Sequence, residues 1–207
     1  MDTDSKSKIK TKSIFSVAAR FNENKDLATR LLNPSKEILS KCKDHNSYPC
    51  GKTSFFEEDK NLFLIEEEPW KEFRNFVGNE CVSYLDECGI DTTKIKIIAT
   101  NAWVSEMYEG GSHPHHVHHP YCQVSGNFYV HADEGSSPLV FYKPEVWGDI
   151  WQNMPVKQKN ILNIDKVHCP ARTGLNAMWR SDVVHSVFHN KTKSRIAVSY
   201  NLVVTNV

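Results

Sequence analysis

Ten histidines in 207 residues would draw little notice if scattered, but five of them fall between positions 113 and 119. The stretch reads Gly110-Gly-Ser-His113-Pro-His115-His116-Val-His118-His119-Pro120, so one residue separates His113 from His115 and one separates His116 from His118. Residues two apart on an extended strand point to the same side, so an HxH unit can present two imidazoles to one ion. Imidazole suits Fe(II), Zn, Cu and Ni alike, so the cluster indicates a metal without naming it. The competing reading is a polar loop whose histidines sit in solvent or bond locally.

A distant partner favours chemistry. His185 lies in the apolar run Val183-Val184-His185-Ser186-Val187-Phe188, after the turn-like Arg180-Ser181-Asp182. Alone, a His on such a strand is more often a satisfied core residue than a ligand. Ten residues later, however, Arg195 opens the last strand, Arg195-Ile-Ala-Val-Ser-Tyr-Asn201. Two imidazoles from one strand end and a third from a later strand can fill one face of an octahedron, leaving positions for a bidentate 2-oxoacid and O2. An Arg on a neighbouring strand could clamp the far carboxylate of that acid with two parallel hydrogen bonds, which a Lys point charge does less selectively.

Such a site needs elements to hold it. Glu68 to Cys88 places Trp70, Phe73, Val77, Cys81, Tyr84 and Leu85 on one face, with Pro69 suited to the first turn and Gly89 to the C-terminal cap, which predicts an amphipathic helix. Asp26 to Lys43 is helical in spacing, and Pro34 is expected to divide it in two. After Gly89 the character turns to β, with runs at Lys94–Tyr108, Val124–Ala132, Leu139–Tyr142, Leu175–Trp179, Val183–Phe188 and Arg195–Thr205. Strands that follow a helical front without alternating helices predict helices packed on an antiparallel sandwich or barrel. The fold class is therefore mainly β with flanking helices. One domain is expected over 14–207, with a helical front at about 20–90 and a barrel at about 94–206. Residues 1–13, rich in Lys, Ser and Thr, read as a disordered tail.

Composition excludes several classes. No run approaches the roughly 20 apolar residues that cross a bilayer, and the N-terminal stretch lacks the apolar core of a secretory signal. A cytoplasmic location is expected, or the host's cytoplasm if the protein is viral. Twenty-five basic side chains balance 25 acidic ones, which leaves no bulk field for nucleic acid. The six cysteines, Cys42, Cys50, Cys81, Cys88, Cys122 and Cys169, show no CxxC pair and read as reduced thiols. Homo-oligomer formation stays open.

The Trp103 strand, the Gly-rich turn, the His cluster leading through Pro120 into Ser125-Gly126-Asn-Phe-Tyr129-Val130, the Leu139-Val-Phe-Tyr-Lys-Pro144 segment, and His185 followed by Arg195-Ile-Ala-Val-Ser-Tyr-Asn201 together resemble a known family. It is that of the 2OG-Fe(II) oxygenases common in marine bacteria and their phages, distantly prolyl-hydroxylase-like. The resemblance covers about residues 95–205, with a weaker echo at Gly51-Lys-Thr-Ser54. It implies a double-stranded β-helix, a jelly-roll or cupin-like barrel. It also implies Fe(II) and 2-oxoglutarate as cofactors, O2 as co-substrate, and decarboxylation of 2-oxoglutarate to succinate as an unknown substrate is hydroxylated. His116, His118 and His185 would be the ligands and Arg195 the anchor of the distal carboxylate. The wider superfamily offers HxD where this chain has HxH, so the claw is one negative charge poorer. Counting forward from Gly111 favours His116 and His118, whereas counting back from Ser125-Gly126 brings His119 before Pro120 and makes it the leading substitute. Asn127, Tyr129 and Trp179 are expected to face the barrel interior and line the cosubstrate pocket. The segment Pro144 to Lys159, with Trp147 and Trp151, reads as a loop or lid.

Three alternatives compete. A cupin-type three-His dioxygenase would want a Glu where Gln123 stands. A zinc hydrolase would need a general base, for which Glu106, Glu109 and Asp182 are the candidates. A non-enzymatic jelly-roll binding protein would leave Arg195 without a task.

Overall fold

Alternation along the three longest strands fixes the architecture, which is that of a computed structural model describing residues 16–58, 61–143, 155–160 and 162–207. In β10 (Arg195–Asn206), Ile196, Val198, Tyr200 and Leu202 point one way, while Arg195, Ala197, Ser199 and Asn201 point the other. The same two-residue period runs through β3 (Ile95–Met107) and β5 (Val124–Ala132). One set is apolar and packs under α1 (Lys25–Lys41) and α2 (Trp70–Glu87), where Leu27, Leu31, Phe73 and Val77 bury fully against Phe128, Val198 and Tyr200. The other set faces a second sheet across a cavity.

The larger sheet has the order β1-β8-β5-β10-β3-β2, where β1 is Ala19–Glu23, β2 is Gly51–Thr53 and β8 is Leu175–Arg180. The smaller has the order β4-β9-β6-β7, formed by His113–His116, His185–Val187, Leu139–Tyr142 and Lys166–Cys169. All recorded pairings are antiparallel. Between the sheets lies an inner core of Leu139, Phe141, Leu175, Ala177, Trp179 and Ala197. This is the two-sheet double-stranded β-helix that the family resemblance implies.

Three expectations need correction. The front at 20–90 is not purely helical, because β1 pairs with β8 and β2 pairs with β3, so both sheet edges come from N-terminal residues. Pro34 does not divide α1, which runs unbroken. A proline inside a helix costs about 3 kcal/mol, but Leu27, Ala28 and Leu31 before it and Ser35 and Leu39 after it bury on one continuous face, and that packing holds both halves in line. The third correction is that β7 lies in a stretch assigned to no strand, and that the strand end expected to carry both histidines of the HxH unit, β4, stops at His116 and leaves His118 in the turn beyond it. The tail at 1–13 and most of the expected lid, including Trp147 and Trp151, fall outside the described residues.

The helix at Trp70–Glu87 buries the face expected of it, and Gly89 follows with φ of 80°, a left-handed cap that favours glycine. A second glycine is dictated by packing. Gly126 of β5 lies opposite Tyr200 of β10, and a Cβ there would overlap the Tyr200 ring, whose hydroxyl donates to Asn176 Oδ1 at 2.7 Å. Gly126→Ala should therefore destabilise the protein by roughly 1–3 kcal/mol, the usual range for overpacking a filled core. Chemical denaturation would measure it, and an unchanged midpoint would show that Tyr200 can move aside.

Candidate metal and cosubstrate site

Register puts the imidazoles together. His116 of β4 pairs directly with His185 of β9, and their ring centroids are 4.1 Å apart. The chain then turns, held by the His118 backbone N–H donating to Ser181 O at 2.9 Å, and swings the His118 ring parallel to that of His185 at 5.1 Å. Available ring nitrogens of His116, His118 and His185 all lie within 4.8 Å of one another.

Backbone carbonyls set the tautomers. His185 Nδ1 is 2.9 Å from Val183 O, and His116 Nδ1 is 2.9 Å from Pro114 O. A carbonyl can only accept, so each Nδ1 carries the proton and each Nε2 keeps its lone pair for a ligand. His118 Nε2 faces His185 Nε2 at 3.3 Å, an arrangement that a cation between the two nitrogens would satisfy. The donor set therefore fits a borderline metal held on one face by three imidazoles.

Burial, with the neighbouring imidazoles adding to it, pushes His118 down to about 4 and His185 down to about 3, and burial also lowers His116. Neutral imidazole is the form that binds metal. The stability consequence has a definite sign. Above the ordinary imidazole value of about 6.5 these rings are neutral folded or unfolded and contribute nothing to the pH dependence. Below it the unfolded chain takes up protons that the folded one resists, so stability falls as pH falls towards the lowered folded values. The metal-free protein should lose melting temperature steadily between about pH 6.5 and 4. An imidazole-binding divalent ion should counter the loss at the upper end of that window. A flat profile in thermal scans would contradict neutral, buried rings.

The structure does not bring His119 to this group. Its side chain is exposed and lines a separate depression with Cys122, Arg180 and Asp182, because the turn after Val117 sends consecutive residues to opposite sides. His115 packs edge-on against Tyr142 at 4.3 Å. His113 stays close, with its ring 4.3 Å from that of His116, and it lines the cavity beside Arg195.

That cavity has a volume of about 620 Å³ and runs between the two sheets. Arg195 is only 5% exposed, yet it has no ion pair with any described carboxylate. Its Nη2 donates to the Tyr129 hydroxyl at 3.1 Å, its guanidinium carbon lies 4.8 Å from the Tyr129 ring centroid, and its Nε has no partner. Tyr129 is fully buried behind Arg195 and reaches the cavity through it. Two further cavity-lining donors, Trp179 Nε1 and Asn127 Nδ2, are also buried without partners. An unpartnered buried donor costs roughly 1–3 kcal/mol, and more when charged. Three such donors around one cavity fit an anionic ligand with several acceptor oxygens.

Sequence reasoning missed the other walls. Tyr48, Thr53 and Phe55 come from the N-terminal segment around β2, and Trp103 and Ser105 from β3. The inward period of β3 could have found the last two, while Gly51-Lys-Thr-Ser54 was the only hint of the first group.

A search of curated protein sequences finds no match. The family model that does match is described as "Putative 2OG-Fe(II) oxygenase", and it spans the claw and the arginine. Residues 101–201 carry the 2OG-Fe(II) oxygenase signature. The match indicates a 2OG-Fe(II)-dependent oxygenase, with Fe(II) and 2-oxoglutarate as its cofactors and O2 as co-substrate. Solved structures share its fold. A Pseudomonas putida prolyl-4-hydroxylase aligns with a TM-score of 0.59 and 8% identity, over 90% of this chain and 93% of that one. The viral collagen prolyl hydroxylase of Paramecium Bursaria Chlorella virus-1, solved with 2OG, aligns with a TM-score of 0.54 and 11% identity, over 89% and 94%. The 2OG-Fe(II) oxygenase family oxidoreductase of Burkholderia pseudomallei gives 0.52 and 12%, over 83% and 77%.

An oxygenase barrel also accounts for what the alternatives lack. Glu106 Oε1 accepts from Ser194 Oγ at 2.6 Å, Asp182 pairs with Arg180, and Glu109 is exposed, so none of the three lines the cavity as a hydrolytic base would. Gln123, at the position where a cupin wants its glutamate, points away and accepts from the Val204 N–H at 2.9 Å.

Proposed function

We propose that this oxygenase holds Fe(II) on His116, His118 and His185 and anchors the distal carboxylate of 2-oxoglutarate on Arg195, in order to hydroxylate a substrate not yet identified. The observation that carries the reading is Arg195, a buried cation without a carboxylate partner among the described residues, in the same cavity as the three imidazoles. Bound iron supplies oxygen activation coupled to decarboxylation of the oxoacid, which leaves as succinate and CO2.

The chain's own residues do the rest. Val183 O and Pro114 O keep Nε2 of His185 and His116 unprotonated and aimed inward. Tyr129 stacks on Arg195 and accepts from it, which fixes the guanidinium in one orientation. Trp179 Nε1 and Asn127 Nδ2 are free to donate to cosubstrate oxygens. The buried walls keep water from the reacting centre. Residues 14–207 act as one domain in this reading, and the protein works in the cytoplasm; among the described residues no helix is long and apolar enough to cross a membrane.

Thermal scans with Mn(II) in place of iron test the cosubstrate assignment. At 2-oxoglutarate concentrations near 100 times its Kd, binding adds about 2.7 kcal/mol, which for a chain of this size raises Tm by roughly 5–10 °C. Glutarate, which lacks the keto group that chelates, should give less. No rise with 2-oxoglutarate would favour the second reading, a three-His iron dioxygenase without an oxoacid, which a claw with no carboxylate among the described residues supports.

A further inference from the structure

Arg195 opens β10, and Asn201 lies six residues further along the same inward face, about 20 Å away at the usual rise. The claw sits over that span, nearer its Asn201 end. The His118 ring lies 6.1 Å from that of Trp103, and Trp103 pairs with Ser199, four residues from Arg195 and two from Asn201. The cavity therefore has a second arm on the side of the claw away from Arg195, and its volume lies well inside the range of pockets that enclose drug-sized ligands. Thr100, Asn101 and Asn201 line this arm, with Ser199 at its base beside the claw. At its rim Phe55 packs against Trp103 at 5.1 Å, and Tyr121 is 84% exposed.

Every polar side chain lining that arm among the described residues is an amide or a hydroxyl. Among the described residues Arg195 is the one Asp, Glu, Lys or Arg side chain on the whole cavity wall, and in the proposed function it is engaged by the cosubstrate. A charged group entering the second arm would lose its water with nothing to replace it, whereas an uncharged polar group would find donors, acceptors and ring faces.

The cavity also opens between two sheet edges. β2 is the last strand of the larger sheet and β4 of the smaller, each pairs on one side only among the described residues, and both contribute wall residues, Thr53 from one and His113 and His116 from the other. Exposed strand edges accept extended peptides through main-chain hydrogen bonds. A polynucleotide would need cations for its phosphates, and Lys52 of β2 is turned towards Cys42 O at 3.4 Å and Asp44 at 3.9 Å.

We propose that the second arm receives an uncharged side chain of an extended polypeptide whose backbone lies between the edges of β2 and β4. This rests on the 2-oxoglutarate reading and goes beyond it. The test uses iron-loaded full-length protein, 2-oxoglutarate and O2, with capped pentapeptide pools of the form Gly-Gly-X-Gly-Gly, where X is a neutral, an acidic or a basic residue. An oligothymidylate decamer is run alongside, and succinate above the substrate-free level is the readout. The neutral pool should stimulate at least about tenfold more than either charged pool, the factor expected when a charge is buried unpartnered. Asn101→Asp, which keeps the acceptor that takes the Thr100 hydroxyl, should move the preference towards the basic pool. Equal stimulation by all pools, stimulation by the oligonucleotide alone, or none while 2-oxoglutarate still raises Tm with Mn(II) would each overturn the proposal. Loss of the Tm response itself would instead overturn the cosubstrate reading, and this proposal with it.

Discussion

Replacing His185 with alanine is expected to abolish metal-dependent turnover while leaving a folded protein. His185 has the most strongly lowered pKa of the three clustered imidazoles, its Nδ1 is held by Val183 O, and its ring packs against both His116 and His118. Loss of an outer partner to a metal ligand typically costs roughly 10–100-fold in affinity, so loss of a ligand from a three-ligand site should exceed about 100-fold. Truncating a buried aromatic also leaves a cavity, and His185→Gln serves as the control because it keeps much of the volume. Metal titration followed by calorimetry would show both variants weak and the parent tight. A His185→Ala protein that binds metal like the parent would move the site elsewhere among the histidines.

The second large effect concerns Arg195. Arg195→Met should raise the 2-oxoglutarate KM by roughly 30-fold to several thousand-fold, the range that follows from 2–5 kcal/mol for truncating one side of a buried, hydrogen-bonded charge pair. Metal affinity should barely change. The ligand-free protein should meanwhile be no less stable. The guanidinium is buried without a counter-charge and with Nε unsatisfied, and replacing such a group by an apolar side chain of similar volume is often neutral or stabilising. Equal Tm without ligand, combined with a lost response to 2-oxoglutarate, separates a binding residue from a structural one. A large fall in the ligand-free Tm would mark Arg195 as part of the core instead.

Legibility in the sequence tracked the range of the interactions. The face of α2 was readable because its apolar residues repeat at helical spacing and bury as a unit. Strands β5, β6, β8 and β10 were readable because each carries its own run of branched and aromatic residues. β4 was readable only as a strand end at the HxH unit and not in its extent, since His113-Pro-His-His has no strand propensity and is extended only through pairing with β9 across more than 60 residues of sequence. β1 and β2 failed similarly, being short edges completed by β8 and β3. At the site, the HxH spacing and His185 were visible locally. The choice between His118 and His119 was not, because it depends on a turn pinned by Ser181 from a distant segment. Tyr48 and Phe55 were invisible as wall residues because the N-terminal segment crosses to the cavity only in the folded chain.

The most direct test of the central claim is succinate formation. Anaerobically iron-loaded protein, given 2-oxoglutarate and then O2, should release succinate even without a substrate, slowly but well above the metal-free protein. Arg195→Ala should fall far below the parent at the same cosubstrate concentration. No succinate from the parent, or equal amounts from parent and variant, would contradict an oxygenase that anchors 2-oxoglutarate on Arg195 beside a claw of His116, His118 and His185.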